Sequence, residues 1–199
     1  MPYSPEHKEG TRQKILRSAA RLFNRKGFAE VTIAEIMADA DLTHGGFYRH
    51  FGSKEALYAE AVRHFLHKDT SEPWQRPPAS SCDPSLPFAR FVVDAYLSRE
   101  HLADVDGSCP LIGLPSDVAR GGEAVKAAYQ DVAESMVRLF GNNLDGPEAR
   151  EQALVLLALC VGGMVLARAL RDPELADELR AAAHDHILDI TGWREGKSN

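Results

Sequence analysis

Residues 31–58 have the sequence VTIAEIMADADLTHGGFYRHFGSKEALY, and the spacing of its helix-start and helix-stop residues determines the fold class. The pattern predicts a short helix from Thr32 to Asp39, a tight turn over residues 40–42, and a second short helix from Thr43 to Phe51. Glu35 lies three positions after Thr32, which is the spacing of a capping box. Two short helices joined by such a turn indicate a helix-turn-helix.

Longer helices are predicted on both sides of this pair. Residues 9–26 carry apolar side chains at helical spacing, and Gly27 is the expected stop. Gly52 breaks the pattern after the second short helix, and Ser53 can cap a helix that continues to Phe65. The first part of the chain is therefore predicted to be a compact helical head.

The remainder of the chain is also helical in pattern. Residues 68–87 hold five prolines and no sustained periodicity, so they are predicted to form a loop or linker. Further helices are predicted over residues 88–101, 123–140, 147–170 and 173–192. Because strand alternation is nearly absent, the predicted fold is all-α, with a head domain over residues 1–55 and a larger helical domain over residues 56–199.

Charge is distributed unevenly over the 199 residues, whose formal net charge is −6. Residues 1–55 hold nine Lys or Arg against seven Asp or Glu, whereas residues 56–199 hold fourteen against twenty-two. A mildly cationic head on an acidic body is typical of a phosphate-binding module fused to a second function, although chance alone also produces a split of this size.

The second short helix of the pair carries the most informative side chains. Phe47 and Phe51 are four positions apart and are predicted to pack inward, whereas Arg49 projects nearly opposite, with Gly45 and Tyr48 between. A phenol can bond a phosphate, a guanidinium can reach a phosphate or a guanine edge, and glycine lets the backbone approach closely. This face predicts contact with DNA, and the alternative is that the two adjacent glycines mark only a loop.

The motif residues extend over about residues 11–60 without a gap. They are Ile15-Leu16-x-x-Ala19-x-x-Leu22-Phe23-x-x-x-Gly27-Phe28, Thr32-Ile33-x-x-Ile36, and Phe47-Tyr48-x-His50-Phe51-x-Ser53-Lys54-Glu55-x-Leu57. In this spacing the chain resembles the TetR family of bacterial transcriptional regulators. It departs from the family at Asp41, where a turn glycine is usual, and at Gly46, which is unusual in a recognition helix. Aspartate tolerates the left-handed conformation, so the turn is expected to survive.

The resemblance implies a homodimer on a palindromic double-stranded operator, a helical body with a small-molecule pocket, and release of DNA when the effector binds. Position by position, it implies DNA contacts from Thr32, Thr43, Gly45, Tyr48, His50 and Lys54. The face described above adds His44 and Arg49, and free amides at the helix starts near Thr32 and Lys54 favour phosphate. The predicted function is a ligand-responsive transcriptional repressor.

The last two helices are predicted to form the dimer. Leu154 is apolar, glycines and alanines allow close helix approach, and the predicted interface residues are Leu157, Val161, Met164, Ala167, Ala183 and Ile187. The alternative is that this apolar run belongs to the core of the monomer.

The effector pocket is less evident from sequence. Aromatic and sulfur-containing side chains are proposed to line it, namely Phe88, Phe91, Tyr96, Cys109, Tyr129 and Met136, although such residues are also ordinary core residues. Cys109 precedes a helix start, where a thiol can become reactive, so sensing of electrophiles or oxidants is an alternative function. A buried, inert cysteine is the competing interpretation.

Other function classes have less support in the sequence. The chain lacks a glycine loop after a strand, a nucleophile elbow and a zinc helix, so no enzyme, cofactor or metal site is predicted. A DNA-binding dimer without an effector stays open as an alternative. The apolar run over residues 153–167 is shorter than a membrane span, and the amino terminus does not resemble a signal peptide. A cytoplasmic protein without membrane contact is therefore expected.

Overall fold

The computed structural model describes residues 5–67 and 86–194, and every regular element within these ranges is helical. The elements are α1 (Pro5–Glu30), α2 (Ile33–Asp39), a 3₁₀ helix (His44–Arg49), α3 (Lys54–His67), α4 (Phe88–Tyr96), α5 (Arg99–Ala103), α6 (Pro110–Gly113), α7 (Pro115–Arg120), α8 (Glu123–Gly141), α9 (Ala149–Ala169) and α10 (Pro173–Thr191). The predicted all-α class is confirmed. The loop predicted over residues 68–87 lies outside the described residues except for its last two positions.

The described residues divide into two compact units. The head unit consists of residues 5–67 and 105–132, and the body unit consists of residues 86–104 and 133–194. The helix-turn-helix thus lies in the same unit as α6 and α7, although these two helices come much later in the chain. The predicted boundary at residue 55, between a head domain and a larger helical domain, stays a prediction.

The core of the head unit is formed by α1, α2, the 3₁₀ helix and α3. Ile15 and Phe23 of α1 are fully buried, as are Ile36 of α2, Phe47 of the 3₁₀ helix and Leu57 of α3. These positions follow the helical spacing of apolar residues in the sequence. Burial of a large apolar side chain contributes about 1.5–3 kcal/mol, so this set accounts for much of the stability of the head unit.

The second helix of the predicted pair differs from expectation. The sequence pattern predicts a helix over Thr43–Phe51, whereas the structure has a six-residue 3₁₀ helix over His44–Arg49. Thr43 occupies the N-cap position, but its side chain makes no capping hydrogen bond. The tighter helix is consistent with Gly45 and Gly46, because glycine is a poor α-helix former and short 3₁₀ segments need few hydrogen bonds.

The body unit is built around the antiparallel pair α9 and α10. Gly163 of α9 faces Ala183 of α10 so closely that a Cβ atom at Gly163 would lie 3.3 Å from the Ala183 Cβ. Arg168 of α9 donates to the carbonyl oxygens of His101 and Leu102, at 3.0 and 3.3 Å, which ties α5 to α9. Small residues therefore set the approach of the two long helices.

The close approach of α9 and α10 can be tested by replacing glycine with alanine at Gly10, where there is room, and at Gly163, where there is little. Gly10→Ala, in α1 with no atom within 4 Å of the new Cβ, should raise the free energy of unfolding by up to about 1 kcal/mol. Gly163→Ala should raise the free energy of unfolding by less than this, or should lower it, because Ala183 must move to make room for the new Cβ atom. Urea denaturation followed by circular dichroism measures both, and equal gains would contradict the close approach.

Candidate nucleic-acid interface

The first short helix is held against α1 by polar contacts. Ser18 donates to the carbonyl oxygen of Ile36 at 3.0 Å and also to Asp39. Arg21 pairs with the same carboxylate. The hydrogen bonds from Arg21 and then from Ser18 lower the pKa of Asp39. These contacts fix the orientation of α2 relative to α1.

The capping hydrogen bonds predicted at Thr32 and Ser53 are confirmed, whereas Thr43 makes none. The Thr32 hydroxyl accepts the Glu35 N–H at 3.1 Å, and the Ser53 hydroxyl accepts the Ala56 N–H at 3.0 Å. The hydrogen bond from Lys26 is the main cause of the lowered pKa of Glu35, and the Thr32 backbone amide lowers it further, as in a capping box. Both starts therefore occur where the sequence predicts them.

The turn between the short helices adopts the left-handed conformation that was expected at Asp41. The φ angle of Asp41 is 57°, and the Leu42 N–H donates to the Met37 carbonyl oxygen at 2.8 Å. Aspartate reaches this conformation at low cost, so the missing turn glycine does not disrupt the motif. The turn directs the chain into the 3₁₀ helix.

The 3₁₀ helix buries one side and presents two others to solvent. Phe47 is fully buried, and its ring centroid lies 5.8 Å from that of Phe51. By contrast, Tyr48 is 64% exposed and Arg49 is also exposed. Because three residues complete a 3₁₀ turn, Tyr48 and Arg49 lie about 120° to either side of Phe47. The tyrosine hydroxyl and the guanidinium therefore occupy separate solvent-facing sides.

The predicted DNA-contacting residues fall into two classes of exposure. Two of them are half-buried, His50 and Lys54, and the others are exposed, namely Thr32, Thr43, His44, Gly45, Tyr48 and Arg49. All of them lie in the head unit, within or next to α2, the 3₁₀ helix and α3. The exposed members can meet a partner without any opening of the core.

The surroundings of His50 are cationic. Burial lowers the pKa of the His50 ring, nearby Lys8, Arg12 and Arg49 lower it further, and Glu9 opposes them. Its Nδ1 atom is buried without a hydrogen-bond partner. Lys8 was not among the residues predicted to contact DNA, although the excess of basic residues over residues 1–55 was a general sign of a cationic surface. A concentration of positive charge is what a phosphate backbone attracts.

Lys54 is held at the start of α3 by an aromatic ring. Its Nζ atom lies 4.3 Å from the centroid of the Phe28 ring, an arrangement typical of a cation–π contact. Burial lowers the pKa of Lys54, and Glu55 and Asp117 oppose that shift. The ammonium group is therefore placed by packing at a helix N-terminus, where anions are favoured.

The residues proposed to line a pocket are split between the two units. Cys109 and Tyr129 lie in the head unit, whereas Phe88, Phe91, Tyr96 and Met136 lie in the body unit. Tyr96 is fully buried, and the Phe88 and Phe91 rings lie 6.1 Å apart. The Tyr129 hydroxyl donates to the Leu111 carbonyl oxygen at 3.2 Å.

A cleft of about 400 Å³ opens in the body unit. It is lined by Asp94, Leu97, Arg99, Asp177, Arg180, Ala181 and His184, none of which was proposed from the sequence. Arg180 is buried and pairs with Asp177 while donating to the Leu97 carbonyl oxygen. The His184 Nε2 atom lies 2.6 Å from Asp94 Oδ1. Periodicity gave no sign of this cleft, because its charged residues come from separate helices.

Two cysteines lie within the described residues, and both are buried and form no disulfide. Cys109 is the N-cap residue of the four-residue helix α6, which agrees with the predicted helix start, and its side chain has no solvent exposure. Burial raises the pKa of the Cys160 thiol in α9. Neither thiol is accessible without local opening of the structure.

Of the six residues predicted for a dimer interface, three are buried and three are half-buried. Met164, Ala167 and Ile187 are buried in the core of the body unit, and Leu157, Val161 and Ala183 are half-buried. The exposed large apolar residues of α9 and α10, with their flanks, are Leu154, Val155, Leu166, Leu170, Leu175 and Ile190. Met164, Ala167 and Ile187 thus offer little surface to a second copy, and neighbouring positions offer more.

Helix α9 has two apolar sides. Among the described helices, only α9 is long and apolar enough to cross a membrane by length and composition, and a third of its most apolar stretch is buried. The core helix of a soluble protein can be equally long and apolar, so this property indicates only that α9 is unusually apolar. The buried side contains Leu156 and Cys160, and the exposed side contains Val155 and Leu166.

Comparison with known proteins supplies relatives over the head and over the whole chain. Residues 15–61 match the family described as bacterial regulatory proteins, tetR family. The uncharacterized HTH-type transcriptional regulator YerO of Bacillus subtilis (strain 168) is 42% identical over 55 residues, which are 28% of this chain and 19% of that protein. The HTH-type transcriptional repressor Rv3405c of Mycobacterium tuberculosis is 31% identical over 188 residues, which cover 94% of this chain and 92% of the relative.

Solved structures share the fold along nearly the whole chain. Escherichia coli NemR in its reduced form superposes with a TM-score of 0.73 at 20% identity, covering 94% of this chain and all of that one. A TetR-family regulator from Cytophaga hutchinsonii gives the same TM-score at 20% identity, covering 99% and 100% of the two chains. The helix-turn-helix geometry, the full-length relative and the shared fold agree: the chain belongs to the TetR family of DNA-binding transcriptional regulators.

Proposed function

We propose that the protein represses transcription by binding a palindromic operator as a homodimer, and that a small-molecule effector releases it. The observation that carries the DNA-binding part is the 3₁₀ helix, which buries Phe47 and exposes Tyr48 and Arg49. Exposed phenol and guanidinium groups beside a cationic cluster suit a surface that contacts phosphates and base edges. The similarity to the repressor Rv3405c, which covers 94% of this chain, supports repression.

The eight residues named above act in different roles in this proposal. Tyr48 and Lys54 contact phosphate, together with backbone amides near Thr32 and Thr43. His44 and Arg49 contact base edges, and Gly45 allows the backbone to come close because its Cβ position is open. His50, half-buried and surrounded by cations, positions the segment from beneath. Lys8 is added as a further phosphate contact.

The homodimer is proposed to form through the exposed apolar side of α9 and α10. Leu166 is 57% exposed, and Val155 lies eleven positions before it, three helical turns away on the same side. Gly162 lies between them with no atom within 4 Å of its Cβ position, which leaves room for a partner helix. A two-fold dimer presents two recognition segments to half-sites about 34–36 Å apart.

An effector site is proposed in the body unit. The chain after the predicted head, residues 56–199, is longer than dimerisation requires, and the cleft in the body unit is within the size range of small-molecule sites. A regulator without an effector is the alternative, which a ligand screen against the DNA complex distinguishes. Sensing of electrophiles or oxidants through the Cys109 thiol stays a prediction. Because this thiol is fully buried, a reagent can reach it only after local opening of the structure.

The direct test is a titration of the intergenic DNA beside the protein's own gene at several salt concentrations. Saturable binding is expected that weakens steeply with salt and withstands competitor DNA, because phosphate contacts release counterions while base contacts give specificity. Electrophoretic mobility shift measures it. Weak, sequence-blind binding would contradict an operator at this place, and no binding at any salt would contradict DNA binding altogether.

Substitutions on the two exposed sides of the 3₁₀ helix should have different effects. Tyr48→Phe should weaken binding to operator and scrambled duplexes alike by about tenfold, the value of one hydrogen bond to a charged group. Arg49→Ala should instead reduce the preference for operator over scrambled DNA. Tyr129→Phe is the control, since its hydroxyl bonds Leu111 inside the head unit. Unchanged affinity of Tyr48→Phe would show that the recognition surface lies elsewhere.

The dimer surface is tested by placing a charge on it. Leu166→Glu should raise the dimer dissociation constant about 100-fold or more, because burial of an unpaired carboxylate is costly, and it should leave helicity unchanged. Val105→Glu, at another exposed apolar residue, is the matched control. Sedimentation equilibrium measures both variants, and a Leu166→Glu protein that stays dimeric would rule out this surface.

A further inference from the structure

The backbone bends sharply at Gly27, close to the end of α1. Its φ angle is 76°, which is left-handed, so the helical hydrogen-bond ladder is interrupted there. The next residue, Phe28, donates its N–H to Oδ2 of Asp117 at 2.7 Å. Asp117 belongs to α7, which lies far along the chain but in the same head unit. A carboxylate from a distant helix thus satisfies the backbone amide that the bend leaves free.

Asp117 fits this bend closely. A Cβ atom at Gly27 would lie only 2.6 Å from Asp117 Oδ2, so the carboxylate occupies space that a glycine alone leaves open. Its other oxygen, Oδ1, accepts from Arg120 at 2.9 Å within α7. The two contacts fix the carboxylate in one orientation against the bend.

The bend in turn places the Phe28 ring. The ring stacks on Tyr58 of α3, with centroids 4.8 Å apart and planes at 29°. The ring also lies under Lys54, whose Nζ atom is 4.3 Å from its centroid. Asp117, the Phe28 backbone, the Phe28 ring and Lys54 therefore form a continuous series of contacts within the head unit.

We propose that Asp117 is a positioning residue for DNA binding, which holds the bend at Gly27 and Phe28 so that the Phe28 ring directs Lys54 toward a DNA phosphate. This inference rests on the proposed phosphate contact of Lys54. It assigns α7 a part in the DNA-binding surface although α7 itself carries no DNA-contacting residue in the proposal.

The sign of the effect separates positioning from simple charge. Asp117 is an anion, so its removal would by long-range electrostatics alone strengthen binding to DNA. Positioning requires the opposite result, namely weaker binding with a shallower salt dependence, because the Lys54 contact is lost. A purely structural role would change stability and leave the salt dependence as it is.

The experiment measures affinity for a fluorescein-labelled duplex of scrambled sequence over a series of KCl concentrations. Lys54→Ala should reduce the slope of log affinity against log salt by about 0.9 for each lost phosphate contact. Asp117→Ala should reduce this slope by at least half as much as Lys54→Ala does. The variant that carries both substitutions should have a slope no shallower than that of Lys54→Ala alone. Asp117→Asn keeps an oxygen that can accept the Phe28 N–H and should restore the wild-type slope.

Asp131→Ala is the matched control. It removes the same charge from the head unit and frees an arginine, Arg63, as Asp117→Ala frees Arg120, but it does not touch the bend. Wild-type or tighter binding is expected for this control. If Asp117→Ala fails to fold, Phe28→Leu takes its place, because it removes the ring and keeps the backbone contact, and it should reduce the slope equally.

The outcomes separate the two proposals. An unchanged slope for Lys54→Ala would overturn the phosphate contact and the positioning role with it. A reduced slope for Lys54→Ala, with Asp117→Ala or Phe28→Leu indistinguishable from Asp131→Ala, would overturn only the positioning role. A reduced slope that Asp117→Asn restores would support both.

Discussion

The proposed DNA-binding surface depends on the burial of Phe47. The 3₁₀ helix, which is the proposed recognition segment, has only six residues, and two of them are adjacent glycines that cost about 1 kcal/mol each relative to alanine in a helix. Burial of Phe47 and of Phe51 contributes about 1.5–3 kcal/mol each, which exceeds that cost. The segment is therefore held by its packing and not by its own helical preference, and the side chains next to Phe47 are directed outward as a consequence.

The electrostatic part of the surface is built on the same core. Lys54 lies over the Phe28 ring, and the charges around His50 come from α1 as well as from the 3₁₀ helix. These groups are far apart in the sequence and meet because α1 packs against α3. A net charge of −6 for the whole chain thus coexists with a local cationic surface.

In the body unit, α9 has one apolar side in the core and a second apolar side in solvent. Leu156, Cys160 and Met164 are buried within the unit, while Val155 and Leu166 remain exposed. A helix that is apolar on every side gives no periodic sign of which side faces its own core. The pattern of α9 and α10 therefore did not separate Met164, Ala167 and Ile187, which are buried in the body unit, from the exposed positions beside them. Which of these positions meets a second copy of the chain stays a prediction.

What the sequence determined by itself was local. The caps at Thr32 and Ser53 and the left-handed turn at Asp41 are each encoded within a few neighbouring residues, and each was predicted correctly. The helical spacing of the core and the family motif extend over more of the chain, but each is a repetition of short spacings that can be recognised without the fold. Only the tertiary structure decided which distant elements meet. The contact between Asp117 and the Phe28 amide, the membership of α6 and α7 in the head unit, and the charged cleft of the body unit all depend on long-range packing. Capping and periodicity are local properties of the chain, whereas the partner of a buried or charged group is set by how whole helices fit together.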